Sequence, residues 1–241
     1  MLERVSEDLW IVTQRQRLPG GVELGARMTV IRLPGGELWL HSPTPLDDRS
    51  AAAIDELGVV RHLVAPSRLH HLYLGDAQRR WPAATTWGAP GLAAKRPDLR
   101  FDEVLGEPAT PRWGGVIEAV AIDGAPKVSE TVFVHRPTGT LIVTDLLFSF
   151  PRAPNLATRL LLWMVGALGG LRQSRAWWIF TRDRAAAAAS AGRILALPFD
   201  RVIPCHGEVV DHGGHPAVAA GLRWMLRGAP RAQLQPGSDL S

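Results

Sequence analysis

Four side chains with metal-binding groups stand where three apolar runs of the chain end. The neighbouring His70 and His71 follow the first run, Asp145 ends the second, and His206 follows the third. Imidazole nitrogens and carboxylate oxygens are ligands that Zn²⁺ takes in proteins, and a loop at the end of a buried strand holds such groups in place. We therefore expect His70, His71, Asp145 and His206 to meet in one metal site.

Three imidazoles and one carboxylate suit Zn²⁺, and Fe²⁺ or Mn²⁺ bind at sites of the same kind. A metal at such a site lowers the pKa of a bound water towards ~7, so that hydroxide is available at neutral pH. The predicted reaction is hydrolysis of an ester, thioester, lactone or phosphoester of a small molecule. The alternative is that these four side chains have structural roles and bind no metal. Adjacent histidines can face different ways, and Asp145 can accept backbone N–H bonds in the following turn. His206 can form a hydrogen bond with nearby backbone.

We expect the remaining histidines to lie outside the metal site. His41, His62 and His135 fall in or beside predicted strands, which favours structural roles. His212 and His215 belong to a glycine-rich turn, where we expect solvated side chains.

Short runs rich in β-branched and aromatic residues predict the strands that carry these side chains. The predicted strands are 9–13, 28–33, 37–41, 59–65, 85–87, 116–122, 131–134, 140–144 and 201–204. The predicted helices are 51–57, 76–81, 185–197 and 217–226, with Asp47 or Asp48 as N-cap of the first and Asp183 near the start of the third. A Pro-Gly-Gly turn at 34–36 predicts a hairpin, and the strand–helix alternation after it favours an α/β core with parallel pairing.

The composition favours one folded domain. The chain has 241 residues, of which 46% are hydrophobic, and a formal net charge of +4. We expect a single domain over 1–228 and a polar tail over 229–241, with no nucleic-acid partner, because the basic residues form no block.

Cys205 is the one cysteine, which excludes a disulfide within the chain and favours a buried thiol in a cytoplasmic setting. The polar start lacks the apolar stretch of a signal peptide.

The stretch of about 149–184 differs from the rest of the chain. It combines prolines, an apolar run over 160–168 and the aromatic residues Trp163, Trp177 and Trp178. The pattern predicts a helical, Trp-rich insertion whose apolar run is too short to span a bilayer. We expect this insertion to wall a pocket or to form a homodimer contact, with a peripheral contact to a membrane surface as the alternative.

The order of these elements resembles the metallo-β-lactamase-like superfamily, whose fold is a four-layer αββα sandwich with a metal site at the edge between two sheets. The segment 138–148 is similar to the family's hairpin and bridging aspartate, here Asp145, and the Pro-Cys-His-Gly sequence at 204–207 is similar to its Pro-Gly-His-Gly motif. A narrower resemblance, from residue 9 to about 225, is to an uncharacterised branch known as a domain of unknown function. The resemblance implies the fold and leaves the reaction open.

The family's other ligands are largely replaced. Its first motif, His-x-His-x-Asp-His, falls on 66–71, where Pro66 and Arg68 replace the first two histidines and His70 replaces the aspartate. Only His71 matches in kind. The family's middle histidine has no counterpart before the strand at 131–134. The resemblance therefore implies about half of the usual two-zinc ligand set.

These replacements leave two functions open. One is a hydrolase with a reduced, mononuclear metal site. The other is a non-catalytic pseudoenzyme that keeps the fold and binds a small molecule or a protein partner without metal. Arg68 distinguishes them, because an arginine that enters the cleft and pairs with Asp145 would replace the charge of the metal. Lys127 and Glu130 lie near the position of the missing histidine and offer other chemistry there.

Overall fold

The computed structural model describes residues 1–106, 113 and 115–227, so the predicted polar tail over 229–241 lies outside the described residues. The strands are β1 Leu2–Ser6, β2 Leu9–Gln14, β3 Arg17–Leu18, β4 Val22–Glu23, β5 Ala26–Arg32, β6 Glu37–His41, β7 Val59–Ala65, β8 Thr85–Gly88, β9 Glu103–Val104, β10 Ile117–Ala121, β11 Thr131–His135, β12 Thr140–Val143, β13 Phe148–Ser149, β14 Leu171–Arg172 and β15 Arg201–Pro204. The helices are α1 Asp48–Asp55, α2 Leu74–Arg80, α3 Leu92–Lys95, α4 Leu156–Val165, α5 Arg175–Phe180, α6 Arg184–Leu195, α7 Gly214–Gly221 and α8 Arg223–Leu226.

The larger sheet has the strand order β1-β2-β5-β6-β7-β8-β9. Pairing is antiparallel from β1 to β6 and parallel from β6 to β9, so the predicted hairpin at 34–36 and the predicted parallel pairing are confirmed. Because β6 and β7 run in the same direction, the loops that follow them lie at the same end of the sheet. Ser42 is in the first of these loops and His70 is in the second.

The second sheet has the order β10-β11-β12-β15, and β12 pairs with β15 in parallel. Asp145 follows β12 and His206 follows β15, so this pairing brings both side chains to one edge. The loop after β7 is joined to the second sheet, since the N–H of Thr131 donates to the Pro66 carbonyl at 2.8 Å. The strand ends that carry the predicted ligands therefore meet at one edge of the two sheets.

Side chains alternate between layers along the central strands. In β6, Leu38 and Leu40 pack with helices α1 to α3, while Trp39 between them packs against the second sheet. In β12, Leu141 packs towards α6 and α7, while Ile142 packs against the larger sheet. Full burial of such a side chain stabilises the fold by about 1.5–3 kcal/mol, so burial on both faces fixes the register. The helix–sheet–sheet–helix order confirms the predicted αββα sandwich.

Some boundaries differ from the sequence-based expectations. Strand β1 was not predicted, because it is an edge strand with charged, partly exposed side chains rather than an apolar run. The helix predicted over 217–226 is two helices, α7 and α8, because Leu222 leaves helical geometry with φ −90° and ψ 8°. Both predicted aspartate caps are confirmed: Asp47 accepts the N–H of Ser50 at 2.7 Å and Asp183 accepts that of Ala186 at 3.0 Å.

The segment 149–184 contains helices α4 and α5. The Asn155 side chain caps α4 by accepting the N–H of Thr158 at 2.9 Å. The same helix lies against β4, where the N–H of Glu23 donates to the Thr158 hydroxyl at 2.8 Å. Within the described residues, no helix has the length and apolar character that crossing a membrane requires.

Candidate metal centre

Three of the four predicted ligands converge. The two Nε2 atoms of His70 and His206 lie 3.3 Å apart, and His70 Nε2 lies 3.3 Å from Asp145 Oδ2. His206 Nε2 lies 3.7 Å from Asp145 Oδ1. The metal-capable atoms of these three side chains all lie within 4.8 Å of one another. The cluster therefore places two imidazoles and one carboxylate around a common point.

The outer nitrogens of both imidazoles have fixed partners. His206 Nδ1 donates to the Gly25 carbonyl at 2.7 Å, which leaves the lone pair of a neutral ring on Nε2. His70 Nδ1 is hydrogen-bonded to the Ser42 hydroxyl at 2.9 Å, so its Nε2 also faces the cluster. A partner on the outer nitrogen fixes the tautomer and the ring orientation of metal-binding histidines. Both rings are therefore oriented as ligands would be.

The backbone around each histidine is held in place by buried polar groups. The Ser67 hydroxyl accepts the N–H groups of Leu69 and His70, at 3.2 and 3.1 Å, and shapes the loop after β7. The buried Arg27 donates to the carbonyls of Pro204 and Gly207, at 2.6 and 2.8 Å, and so fixes the turn that carries His206. Sequence reasoning missed Ser42, Ser67 and Arg27, because nothing in their spacing points to the ligands they support.

The spacing of the cluster suits a tetrahedral metal. Ligand atoms at about 2.0–2.1 Å from Zn²⁺ in a tetrahedral site lie about 3.3–3.4 Å apart. The two imidazole nitrogens, 3.3 Å apart, match this separation, and with one carboxylate oxygen of Asp145 the three ligand atoms all lie within 4.8 Å of one another. Three protein ligands also leave one position open for water or substrate, as in catalytic zinc sites. His70, Asp145 and His206 thus form a candidate metal site, while the identity of the ion is left to experiment.

The charges in the cluster are strongly coupled. Burial alone would lower the pKa of His70, but the neighbouring Asp145 and Cys205 side chains raise this pKa well above its ordinary value. Burial, and then the charge of His70, lower the pKa of His206 to about 4. Burial alone would raise the pKa of Asp145, but the charge and hydrogen bond of His70 hold it below its ordinary value. Without metal, the stable arrangement is therefore an Asp145–His70 ion pair beside a neutral His206.

His71 lies outside the three-residue cluster. Its Nδ1 is 2.9 Å from a guanidinium nitrogen of Arg96, and His71 is not part of the group that converges on Asp145. Burial, followed by the charges of Lys95 and Arg96, lowers the pKa of His71. Adjacent residues in a loop point in different directions, which is why only one member of the His70–His71 pair enters the cluster.

Arg68 does not replace a metal. Its guanidinium donates to the Pro126 carbonyl at 3.2 Å, on the exposed side of the loop, and Asp145 pairs with His70 instead. Lys127 is exposed. Glu130 is buried and accepts the N–H of Thr144 at 2.7 Å. Burial, and then the charge of Asp145, raise the pKa of Glu130 to about 8, so this side chain is largely neutral at pH 7.

The structure assigns ordinary roles to most other candidate residues. Cys205 is buried and free, as predicted. His41 is buried and stacks on Trp39. His212 is exposed, as predicted, but the prediction for His215 is wrong, because this half-buried ring bonds to the Leu195 carbonyl at 2.8 Å. His215 lies at the start of α7, and this hydrogen bond joins α7 to the end of α6.

A hollow of about 500 Å³ opens onto the cluster. The lining includes the ionisable residues His70, His71, Asp145 and His206 and the apolar residues Leu18, Leu24, Leu69 and Leu72. The other lining residues are Gln16, Ala26, Ser42, Pro43, Thr44 and Tyr73. A mostly apolar concavity with a few convergent polar groups is typical of small-molecule sites. The candidate metal site is therefore reachable from a pocket of ligand size.

Replacing Ser42 by alanine is expected to weaken Zn²⁺ binding by about 10–100-fold, the usual effect of losing a hydrogen bond that orients a ligand. The reason is that His70 Nδ1 loses its partner and the ring is free to rotate. Thr44→Val is a matched control, because Thr44 lines the same hollow and its buried hydroxyl has no hydrogen-bond partner among the described residues. Competition titration against a chromophoric chelator measures both affinities. Equal affinities in the two variants would contradict the orienting role of Ser42.

Comparisons with known proteins agree with this architecture. The family model described as "Domain of unknown function (DUF4336)" matches residues 6–162, and no curated protein matches the sequence. Among solved structures, a metallo-β-lactamase from Pontibacter korlensis is 15% identical, with 92% of this chain and 98% of that chain covered and a TM-score of 0.65. The lactamase FIM-1 from Pseudomonas aeruginosa, in its mono-zinc form, is 14% identical, with 95% and 96% covered and a TM-score of 0.63.

A metallo-β-lactamase from Hirschia baltica is 11% identical, with 96% of this chain and 98% of that chain covered and a TM-score of 0.62. Identities this low demonstrate a shared fold, whereas function depends on the residues at the site. The family match covers more than half of the chain and agrees with the resemblance seen in the sequence. The chain belongs to the DUF4336 family and has the metallo-β-lactamase fold.

Proposed function

We propose that this protein is a metal-dependent hydrolase that holds a single metal ion with His70, Asp145 and His206. The observation that carries the proposal is the convergence of both Nε2 atoms on the Asp145 carboxylate, with each outer Nδ1 already bonded. An ordinary structural histidine has no need of this orientation. Zn²⁺ is the ion that best suits two imidazoles and one carboxylate, and Fe²⁺ or Mn²⁺ are the alternatives.

A bound metal would supply hydroxide at neutral pH. The side chains around the site orient the metal ligands and limit the access of water to the reacting bond. Ser42 and the Gly25 carbonyl keep the two imidazoles oriented, while His70 and His206 leave their Nε2 lone pairs free when neutral. The apolar walls of the hollow exclude water from the reacting bond, which strengthens electrostatic interactions inside.

The lining of the hollow favours a carboxylic ester, thioester or lactone with an apolar group. Leucine is the most frequent residue type in the lining, and none of the described lining residues is lysine or arginine. A phosphoester would need a cation to bind the oxygens that do not react. Burial of an apolar substrate group contributes about 25 cal/mol per Å² of apolar surface. We therefore place phosphoesters last among the proposed substrates.

We further propose that the segment 149–184 is an insertion whose start walls the approach to the site. Phe150, Arg152 and Pro154 line a second hollow of about 370 Å³ beside the first. Gln16 and Leu24 line both hollows, so the two are neighbours. A substrate longer than the first hollow would extend along this path.

The non-catalytic alternative is favoured by the replaced ligands at Pro66 and Arg68, and by the Asp145–His70 ion pair, which needs no metal. The position of Arg68 favours the hydrolase, because its guanidinium bonds to the Pro126 carbonyl outside the cluster. A direct assay decides between the two functions.

The assay measures hydrolysis of p-nitrophenyl acetate, p-nitrophenyl octanoate and bis-p-nitrophenyl phosphate by Zn²⁺-loaded protein. We expect the octanoate to be cleaved fastest, and Asp145→Ala or a chelator to abolish cleavage. His212→Ala is the matched control, because this exposed histidine lies outside the cluster and should leave the rate unchanged. Metal binding without hydrolysis of any of these three substrates would support the non-catalytic alternative.

Metal affinity is expected to rise with pH. The pKa of His70 is raised well above its ordinary value in the metal-free protein, so a proton competes with the metal for Nε2. Below that raised pKa, binding releases about one proton, and the dissociation constant should fall about tenfold per pH unit as pH rises. Chelator competition at several pH values measures the slope. An affinity that is constant over the range below neutral pH would contradict a His70 ligand.

A further inference from the structure

Large apolar side chains are exposed on the two helices of the segment 149–184. On α4, Leu156 is 79% exposed, Leu160 is 55% exposed and Trp163 is 69% exposed. These positions recur at the spacing i, i+4 and i+7, which places them on one face of the helix. On α5, Trp178 is 57% exposed and Ile179 is 78% exposed. An exposed face of leucine, isoleucine and tryptophan marks an interaction surface.

The same segment is strongly basic. Six exposed arginines and one acidic residue, Asp183, give it a formal charge of +5, more than the +4 of the whole chain. The arginines are Arg152, Arg159, Arg172, Arg175, Arg182 and Arg184. None of these six arginines forms a salt bridge with a carboxylate of the described residues. The rest of the chain therefore has a slightly negative net charge.

The two helices form one local unit. The Arg175 guanidinium, at the start of α5, donates to the Met164 carbonyl near the end of α4 at 3.2 Å. The Arg184 guanidinium lies 6.0 Å from the centroid of the Trp178 ring. Arg159 on α4, Arg175 on α5 and Arg184 at the start of α6 thus lie beside the exposed aromatic and aliphatic side chains of α4 and α5. Helices that lie in the interface of an anionic membrane have this composition.

We propose that α4 and α5 dock this protein on an anionic lipid surface. The apolar side chains enter the boundary between headgroups and acyl chains, and the arginines bind the phosphates of the headgroups. A second copy of the chain is the less suitable occupant, because a symmetric dimer contact brings identical patches together and would oppose the arginines of both copies. The proposal concerns binding alone and does not depend on the metal site.

Sedimentation with lipid vesicles tests the docking surface. The full-length protein is mixed with vesicles of phosphatidylcholine alone or with about a quarter phosphatidylglycerol. We expect binding to the anionic vesicles, weak binding to the neutral ones, and a decrease at high salt, because salt screens exposed charges. Trp163→Ser and Arg159→Glu should each weaken binding by about tenfold.

Two substitutions outside the segment are matched controls. Val59→Ser removes an apolar side chain that is 58% exposed, and Arg49→Glu reverses an exposed charge on α1. Both should bind anionic vesicles as the wild type does, and thermal unfolding should show that all four variants are folded. Equal binding to both kinds of vesicle, or equal losses in the controls, would overturn the proposal. So would a dimer in analytical ultracentrifugation that Trp163→Ser converts to monomers while vesicle binding is unchanged.

Discussion

Replacing His70 by alanine is expected to remove high-affinity metal binding, whereas replacing His71 by alanine is expected to preserve it. His70 Nε2 lies 3.3 Å from both Asp145 and His206, while His71 is bonded to Arg96 outside the cluster. Loss of a group that orients a ligand weakens Zn²⁺ binding by about 10–100-fold. Loss of the ligand itself should weaken Zn²⁺ binding by more than this. The adjacent histidines therefore make a matched pair that differs mainly in which ring faces Asp145.

The comparison is made by chelator competition on both variants, with thermal unfolding of the metal-free proteins as a check on folding. His70→Ala should also destabilise the metal-free protein, because Asp145 is left as a partly buried charge without its cation. A separate variant, His206→Ala, should lose metal affinity through the removal of a neutral ring. If His71→Ala loses affinity as His70→Ala does, the three-residue ligand set is wrong.

Replacing Gly207 by alanine is expected to destabilise the protein by about 3 kcal/mol or more. Gly207 has φ +90°, and a Cβ there would lie 1.9 Å from the Ser149 carbonyl oxygen. The backbone must therefore move, although it is held by the bond from Arg27 to the Gly207 carbonyl. Since Gly207 follows His206 directly, the same movement should displace a metal ligand and weaken metal binding.

Gly213→Ala is the matched control for this substitution. Gly213 also has a left-handed backbone, with φ +69°, but among the described residues, apart from its own chain neighbours, no heavy atom lies within 4 Å of the position of its Cβ. Gly213→Ala should lower the free energy of unfolding by only about 1–2 kcal/mol, through backbone strain. For a chain of this size, each kcal/mol lowers Tm by roughly 2–4 °C, so differential scanning calorimetry separates the two variants. Equal shifts would show that the contact with Ser149 is not the cause.

The central strands were predictable because each contains a short run of buried, mostly apolar side chains. The bounds of β6, β7 and β15 agree with the apolar runs in the sequence. The hairpin of β3 and β4 was missed, because its four residues, Arg17–Leu18 and Val22–Glu23, are too few and too polar to form a pattern. The break at Leu222 depends on tertiary packing, since the neighbouring Gly221 lies against Leu147 without space for a side chain.

The site was predictable in part for a similar reason. Ligands at strand ends were found because parallel strands bring their ends together, and this requires only the order of the elements. Which of His70 and His71 faces Asp145 was not predictable, because the choice depends on two serines. Ser42 is far from the two histidines in the sequence, and Ser67 is not a metal-binding residue of the motif. The direction of Arg68 likewise follows from its contact with the Pro126 carbonyl, far along the chain.

The metal content of the purified protein tests the central claim most directly. The protein is stripped with a chelator, incubated with Zn²⁺, desalted and analysed by inductively coupled plasma mass spectrometry. We expect about one zinc per wild-type chain, and almost none in Asp145→Ala, because the ligands are complete only in the folded wild type. Less than about a tenth of an equivalent in the wild type would contradict a metal site at His70, Asp145 and His206.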